Sequence, residues 1–341
     1  MSEDHLDKET SLAVSLTESG VEAKAKSRTV AAFDRLGGNL FEWVNVILEV
    51  GTSRRRAKIE GEAKIIAATA DHAVKLIGLD DNFAARAIAS QFGEAARKQL
   101  NKDAVIQTAI EDLQHTPPSK SQSTSGPDEL SEEFISRFED YASGASTEQL
   151  RERWGRVLAS EIRQPGNFSP AVLRVIDEID AKTASLFEHV CQSRAQDALL
   201  KPLTGELDFD TIKRLVEAGL IVEPGLGHVD GFREVTLDDG RAVWFKSLGQ
   251  TALAFDRSKT VRSDVDDELT MNDGILSIPV YVLTSVGSAV SKILEDKSEE
   301  AVHRIIEKLR QKHPDLVTFG LVEGSTRYVK TSGNFPDNSS Q

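Results

Sequence analysis

LRERWGRVLASEIRQPGNFSPAVLRVIDEIDAKTASLFEHV, residues 150–190, is the stretch that decides how this chain is read. Leu150, Trp154, Val157, Leu158 and Ile162 recur at the three- and four-residue spacing of one helix face. That predicts a helix over 148–163, opened by Ser146 and Gln149 as a capping box and stopped by Gln164-Pro165-Gly166. Ser169-Pro170 restarts the chain as N-cap and first helical residue, and Val172, Leu173, Val175, Ile176 and Ile179 supply the next apolar face. Asp180 then caps a helix carrying Leu186, Phe187, Val190 and Cys191. Three helices in succession mark a helical core over 129–200. Phe134, Ile135, Phe138 and Tyr141 join it from a helix that Gly144 ends.

Upstream, His115 to Asp128 (HTPPSKSQSTSGPD) is rich in Ser, Pro and Gly and nearly free of large apolar side chains. The expectation is a linker over 115–128 and the main domain boundary there. Before it, Ile59, Ala63, Ile66, Ala70, Ala73 and Ile77 alternate four- and three-residue steps, which is a heptad seam. Gly78 to Asp81 reads as a turn. A second helix from Asn82 to Leu113 sets Ile88, Phe92, Ala95, Ile106, Ala109 and Leu113 on one face, interrupted by Lys98, Gln99, Asn101, Lys102 and Asp103. Residues 29–114 are thus expected to form a long helical hairpin or stalk. Its alanine-rich seam calls for a partner helix. Residues 1–28 are expected to be disordered.

Downstream, Asp210 is expected to cap a short helix through Ile212, Leu215 and Val216 that ends at Gly219. Leu220-Ile221-Val222 and Arg241 to Lys246 are β-like, an order resembling a winged-helix module. Ile278 to Leu283 is a third β-like run. Helices follow at Thr284–Leu294 and Ser298–Lys312, then a strand at Leu316–Val322 and a disordered tail over 331–341. The expected fold is mainly α: the stalk, the helical core, and a small winged-helix-like α+β part over 201–330.

Composition fixes the broad class. The chain has 341 residues, 39% hydrophobic and 28% charged, the mixture of a globular protein. One cysteine, Cys191, excludes an internal disulfide scaffold. The N-terminal MSEDHLDKET carries no apolar signal segment, and no apolar run is long enough to span a bilayer, so a bacterial cytoplasmic location is expected. Net charge is −14, and most of the excess falls after residue 113, where 37 acidic side chains face 26 basic ones. That acidity argues against a broad nucleic-acid surface.

No catalytic or phosphate-binding motif stands in the sequence, and none of the seven histidines pairs with another at metal-ligand spacing. No cofactor, metal or small-molecule substrate is expected. Gly225, Gly227 and Gly231 in PGLGHVDG precede no helix pattern and read as a turn in a β-ribbon. His189 and Cys191 are two apart on a helix and face apart, so Cys191 reads as a buried small hydrophobe. Asp177, Glu178 and Asp180 read as capping and surface charge. Arg54, Arg55, Arg56 and Lys58 are the one dense basic run. With Ile59, Ile66 and Ile77 of the seam they form the candidate interaction set. Lys213 and Arg214 are candidate nucleic-acid contacts.

Two segments carry a family resemblance. The first is GGNLFEWVNVILEVGTSRRRAKIEGEAKII at 37–66 with EAARKQLNKDAVIQTAIEDL at 94–113; the second is the stretch quoted at the outset. Together they resemble the bacterial domain of unknown function 2806. The second also resembles the Abi-alpha proteins of abortive phage infection, through Trp154, Val157, Leu158, Ala159, Phe168, Ile179, Asp180 and Ala181. The resemblance implies a helical core with a winged-helix-like C-terminal part and a role in phage defence. It transfers no active-site residue. The leading expectation is a non-enzymatic interaction or sensor protein of phage defence or stress, self-associating or binding another protein through its helical region. The alternatives are a DNA-binding regulator using the winged-helix-like part and a peripheral membrane-surface protein using residues 36–58.

Overall fold

The computed structural model describes residues 23–37, 81–119, 122, 126–258, 268–322 and 325–333. The chain divides into two compact units, Met1–Leu173 and Arg174–Gln341. The 115–128 segment therefore joins two helices inside one unit.

The described part of the first unit is helical. Among the described residues it holds α1 (Ala23–Gly37), α2 (Asp81–His115), α3 (Glu132–Gly144) and α4 (Glu148–Arg163). α4 has the predicted bounds, and its predicted apolar face buries Trp154, Val157, Leu158 and Ile162. Its cap lies one residue later than expected: Thr147 accepts from Leu150 N at 3.3 Å. Trp154 stacks on Tyr141 at 4.9 Å and meets Phe138 edge-on at 5.9 Å. Such aromatic pairs add about 1 kcal/mol beyond area burial. Gly155 lets α4 cross α2 closely: a Cβ there would lie 2.5 Å from Thr108 Cβ. The polar interruption on α2 is a joint. Asn101 Nδ2 donates to Ser143 O at 2.9 Å, Lys102 pairs with Glu139 at 2.8 Å, and Arg151 donates to Asn101 Oδ1 at 3.0 Å. α1 begins at Ala23, inside the segment expected to be disordered.

The boundary between the units falls within α5 (Pro170–Glu178), which Ser169 opens as predicted. The second unit continues with α6 (Ala181–Cys191), β1 (Arg194–Ala195), β2 (Ala198–Leu200), α7 (Lys201–Thr204), α8 (Phe209–Glu217), β3 (His228–Gly231) and β4 (Arg233–Thr236). It then runs β5 (Ala242–Leu248), β6 (Thr251–Asp256), β7 (Thr270–Asn272), β8 (Ile275–Val282), α9 (Ser285–Ser291), α10 (Ser298–Lys312), β9 (Val317–Leu321) and β10 (Tyr328–Ser332). Among the described residues these strands form two antiparallel five-stranded sheets. The first runs β1-β2-β8-β3 with β7 also on β8, and the second runs β10-β9-β6-β5-β4.

This overturns the mainly α expectation, since the structure is about 51% helical and 20% strand. The winged helix falls with it. After α8 the segment at Ile221 makes a single bridge to Leu283, and the strands that follow build sheets rather than a wing. The missed strands have a physical reason. TALAFD in β6 is buried along almost its whole length, so it shows no alternation of apolar and polar residues. The hairpin turns were local signals: Asp273-Gly274 with both φ positive joins β7 to β8, and Gly249 with φ of +75° opens the two-residue loop from β5 to β6. The tail expectation also yields at its start, because Thr331 and Ser332 belong to β10.

The main core of the second unit joins inner faces of both sheets to α10, through Leu276, Ile278 and Val280, Trp244, Leu253 and Phe255, and Ile305 and Leu309. A second cluster on the opposite face of the second sheet gathers Val243, Ala252, Ala254, Val317 and Phe319. Gly287 fixes the seat of α9: a Cβ there would stand 1.9 Å from the Leu220 carbonyl oxygen.

Candidate functional site

Arg54, Arg55, Arg56, Lys58, Ile59, Ile66 and Ile77 lie outside the described residues, as does most of the 36–58 segment. The other sequence candidates land on structural duties. Lys213 lies 3.8 Å from Glu217 on α8. Asp208, not Asp210, caps that helix, accepting from Thr211 N at 3.0 Å. The hydrogen bond from the Thr211 hydroxyl holds the Asp208 carboxyl below its ordinary value. Lys213 and Arg214 therefore sit on a short helix with acidic residues at both ends and no winged-helix scaffold around it.

Cys191 is buried, and that burial pushes its thiol up to about 12. A thiol held protonated at neutral pH is no nucleophile. Asp180 caps α6 as predicted, through Thr183 N at 3.0 Å. Gly225 and Gly227 take positive φ in the turn that leads into β3, the β-ribbon reading of PGLGHVDG.

Glu161 was not singled out from the sequence. Its buried carboxylate accepts from Gly166 N at 2.6 Å, Asn167 N at 3.1 Å and Phe168 N at 3.3 Å. It thereby shapes the turn between α4 and α5. The available signal was an acid four residues before Pro-Gly.

The first sheet presents a different kind of surface. In the register of β3 on β8, His228 faces Val280 and Asp230 faces Ile278, on the side of the core. Val229 opposite Pro279 and Gly231 opposite Ser277 lie on the other side. Ile275 shares that outward side, two residues before Ser277, and its Cγ2 stands 3.3 Å from where a Gly231 Cβ would be. Val229 is 37% exposed and Ile275 44%. Leu226, in the turn just before β3, is fully exposed.

Two features shape this face. One end is covered, where Tyr281 hydroxyl accepts from Leu207 N at 3.1 Å and the Lys201 ammonium lies 5.3 Å from its ring. Pro279 sits where β8 needs no donor. Leu276 O accepts from Phe232 N on the β3 side and Leu283 N donates to Asp197 O on the other, so odd positions turn their amides away from β3. On that side β2 ends its pairing at Val280 and β7 begins at Ser277, which leaves position 279 without a partner strand. On this side Val229 and Ile275 are exposed and Pro279 half-buried, Ser277 between Ile275 and Pro279 is buried, and β3 is the edge strand among the described residues.

Among the described residues no group of three or more His, Cys, Asp or Glu side chains could hold a metal ion, and no helix is long and apolar enough to cross a membrane.

The family model for a protein of unknown function (DUF2806) matches residues 85–306, and the chain belongs to that family. The match runs from α2 into α10 and takes in β1 to β8 but not β9 and β10, and it does not extend the kinship to the Abi-alpha proteins. No curated protein and no solved structure matches the chain.

Proposed function

We propose that this DUF2806 protein works by contact, as a non-enzymatic interaction or sensor component in phage defence or stress, with the outward β3–β8 strip as a protein-docking surface. The observation that carries the reading is the exposure of two apolar side chains, Val229 opposite Pro279 and Ile275 four residues before that proline, on the outward side of the β3–β8 pair at an edge strand. An apolar strip at a free edge offers a partner both hydrophobic burial and unpaired backbone groups. Glu161 and Cys191 support the same reading, since the Glu161 carboxylate holds the turn after α4 and the Cys191 thiol is buried and protonated. The phage-defence setting rests on the likeness of residues 150–190 to Abi-alpha proteins.

The test is a plaque assay across a broad phage panel, with cells carrying the gene, lacking it, or carrying Val229→Asp with Ile275→Asp. The gene should reduce plaque counts, and the double variant should lose the reduction while keeping its circular dichroism spectrum and melting temperature. Equal plaques with and without the gene remove the setting. Full protection by the double variant removes the strip.

A further inference from the structure

We draw no further inference here: the strongest candidate, the face of the second sheet on which Phe245 meets Phe319 and Tyr328 edge-on beside the buried Ala252 and Ala254, is an apolar face, and nothing in the structure shows what covers it.

Discussion

At the C-terminal ends of α2 and α4 in the first unit, arginines from other helices donate to the closing carbonyls. Arg163 donates to Thr116 O and Asp112 O, both at 2.8 Å, and Arg28 donates to Ile162 O. In the second unit α8 closes itself. Gly219 takes φ of +68°, Leu220 N donates to Leu215 O and Gly219 N to Val216 O, both at 2.9 Å, the bonds of a Schellman motif. The difference teaches where information about an ending resides. A local closure is written within a few residues. A remote one requires two distant segments to be packed before either has a purpose.

The comparison can be broken most forcefully at Gly287. Alanine there should cost the second unit about 3 kcal/mol or more in urea denaturation, because the clash is with backbone that cannot rotate away. A loss under about 1 kcal/mol would mean that α9 shifts freely. In the first unit, Glu161→Ala should cost about 2–3 kcal/mol by orphaning three amides at a buried carboxylate site. It should also raise hydrogen exchange at Gly166, Asn167 and Phe168, and unchanged exchange there would discard the role. Gly155→Ala sharpens the contrast with Gly287. Its nearest neighbour is a side chain, Thr108, and alanine gains helix propensity, so the net loss should be about 1–2 kcal/mol.

The smallest effect concerns the caps of the second unit. Asp208→Ala and Asp180→Ala should each cost less than Gly155→Ala at pH 7. Hydrogen bonds from Thr211 and Thr183 depress the two carboxyl pKa values, so the folded state favours the ionised form. That stabilisation is present above the unfolded carboxylate pKa of about 4 and is lost as pH falls through the folded values. Stability differences from wild type should accordingly narrow in acid. A difference that persists unchanged to pH 2 would show that the carboxylate charge is not what caps these helices.

Helices were legible wherever an apolar stripe met a local stop. α4 and α10 have the bounds that Trp154, Leu158 and Ile162, and Val302, Ile305 and Leu309, imply. Where capping candidates stood close together, the choice slipped: Ser146 for Thr147, and Asp210 for Asp208. Periodicity locates a helix face but not which hydroxyl or carboxylate meets the first free amides. The sheets were partly legible, through RAVWFK and the run at Ile278 to Leu283. β6 hid because both its faces are covered, and β10 because its apolar content is slight. The outward strip had a faint trace in Pro279, a residue that a central strand rejects unless one side is open. Arg28 gave no trace, standing in a polar segment expected to be disordered.

By itself the sequence determined the helical stripes, the Gly219 ending, the Asp180 cap and the family kinship, because each is written in side chains a few residues apart. Only the tertiary structure decided that two five-stranded sheets replace a winged helix, that Arg28 and Arg163 close helices far from them in sequence, and that Val229 and Ile275 share an open face. Strand pairing and remote capping depend on which segments meet, and a spacing pattern within one segment carries no record of its partner.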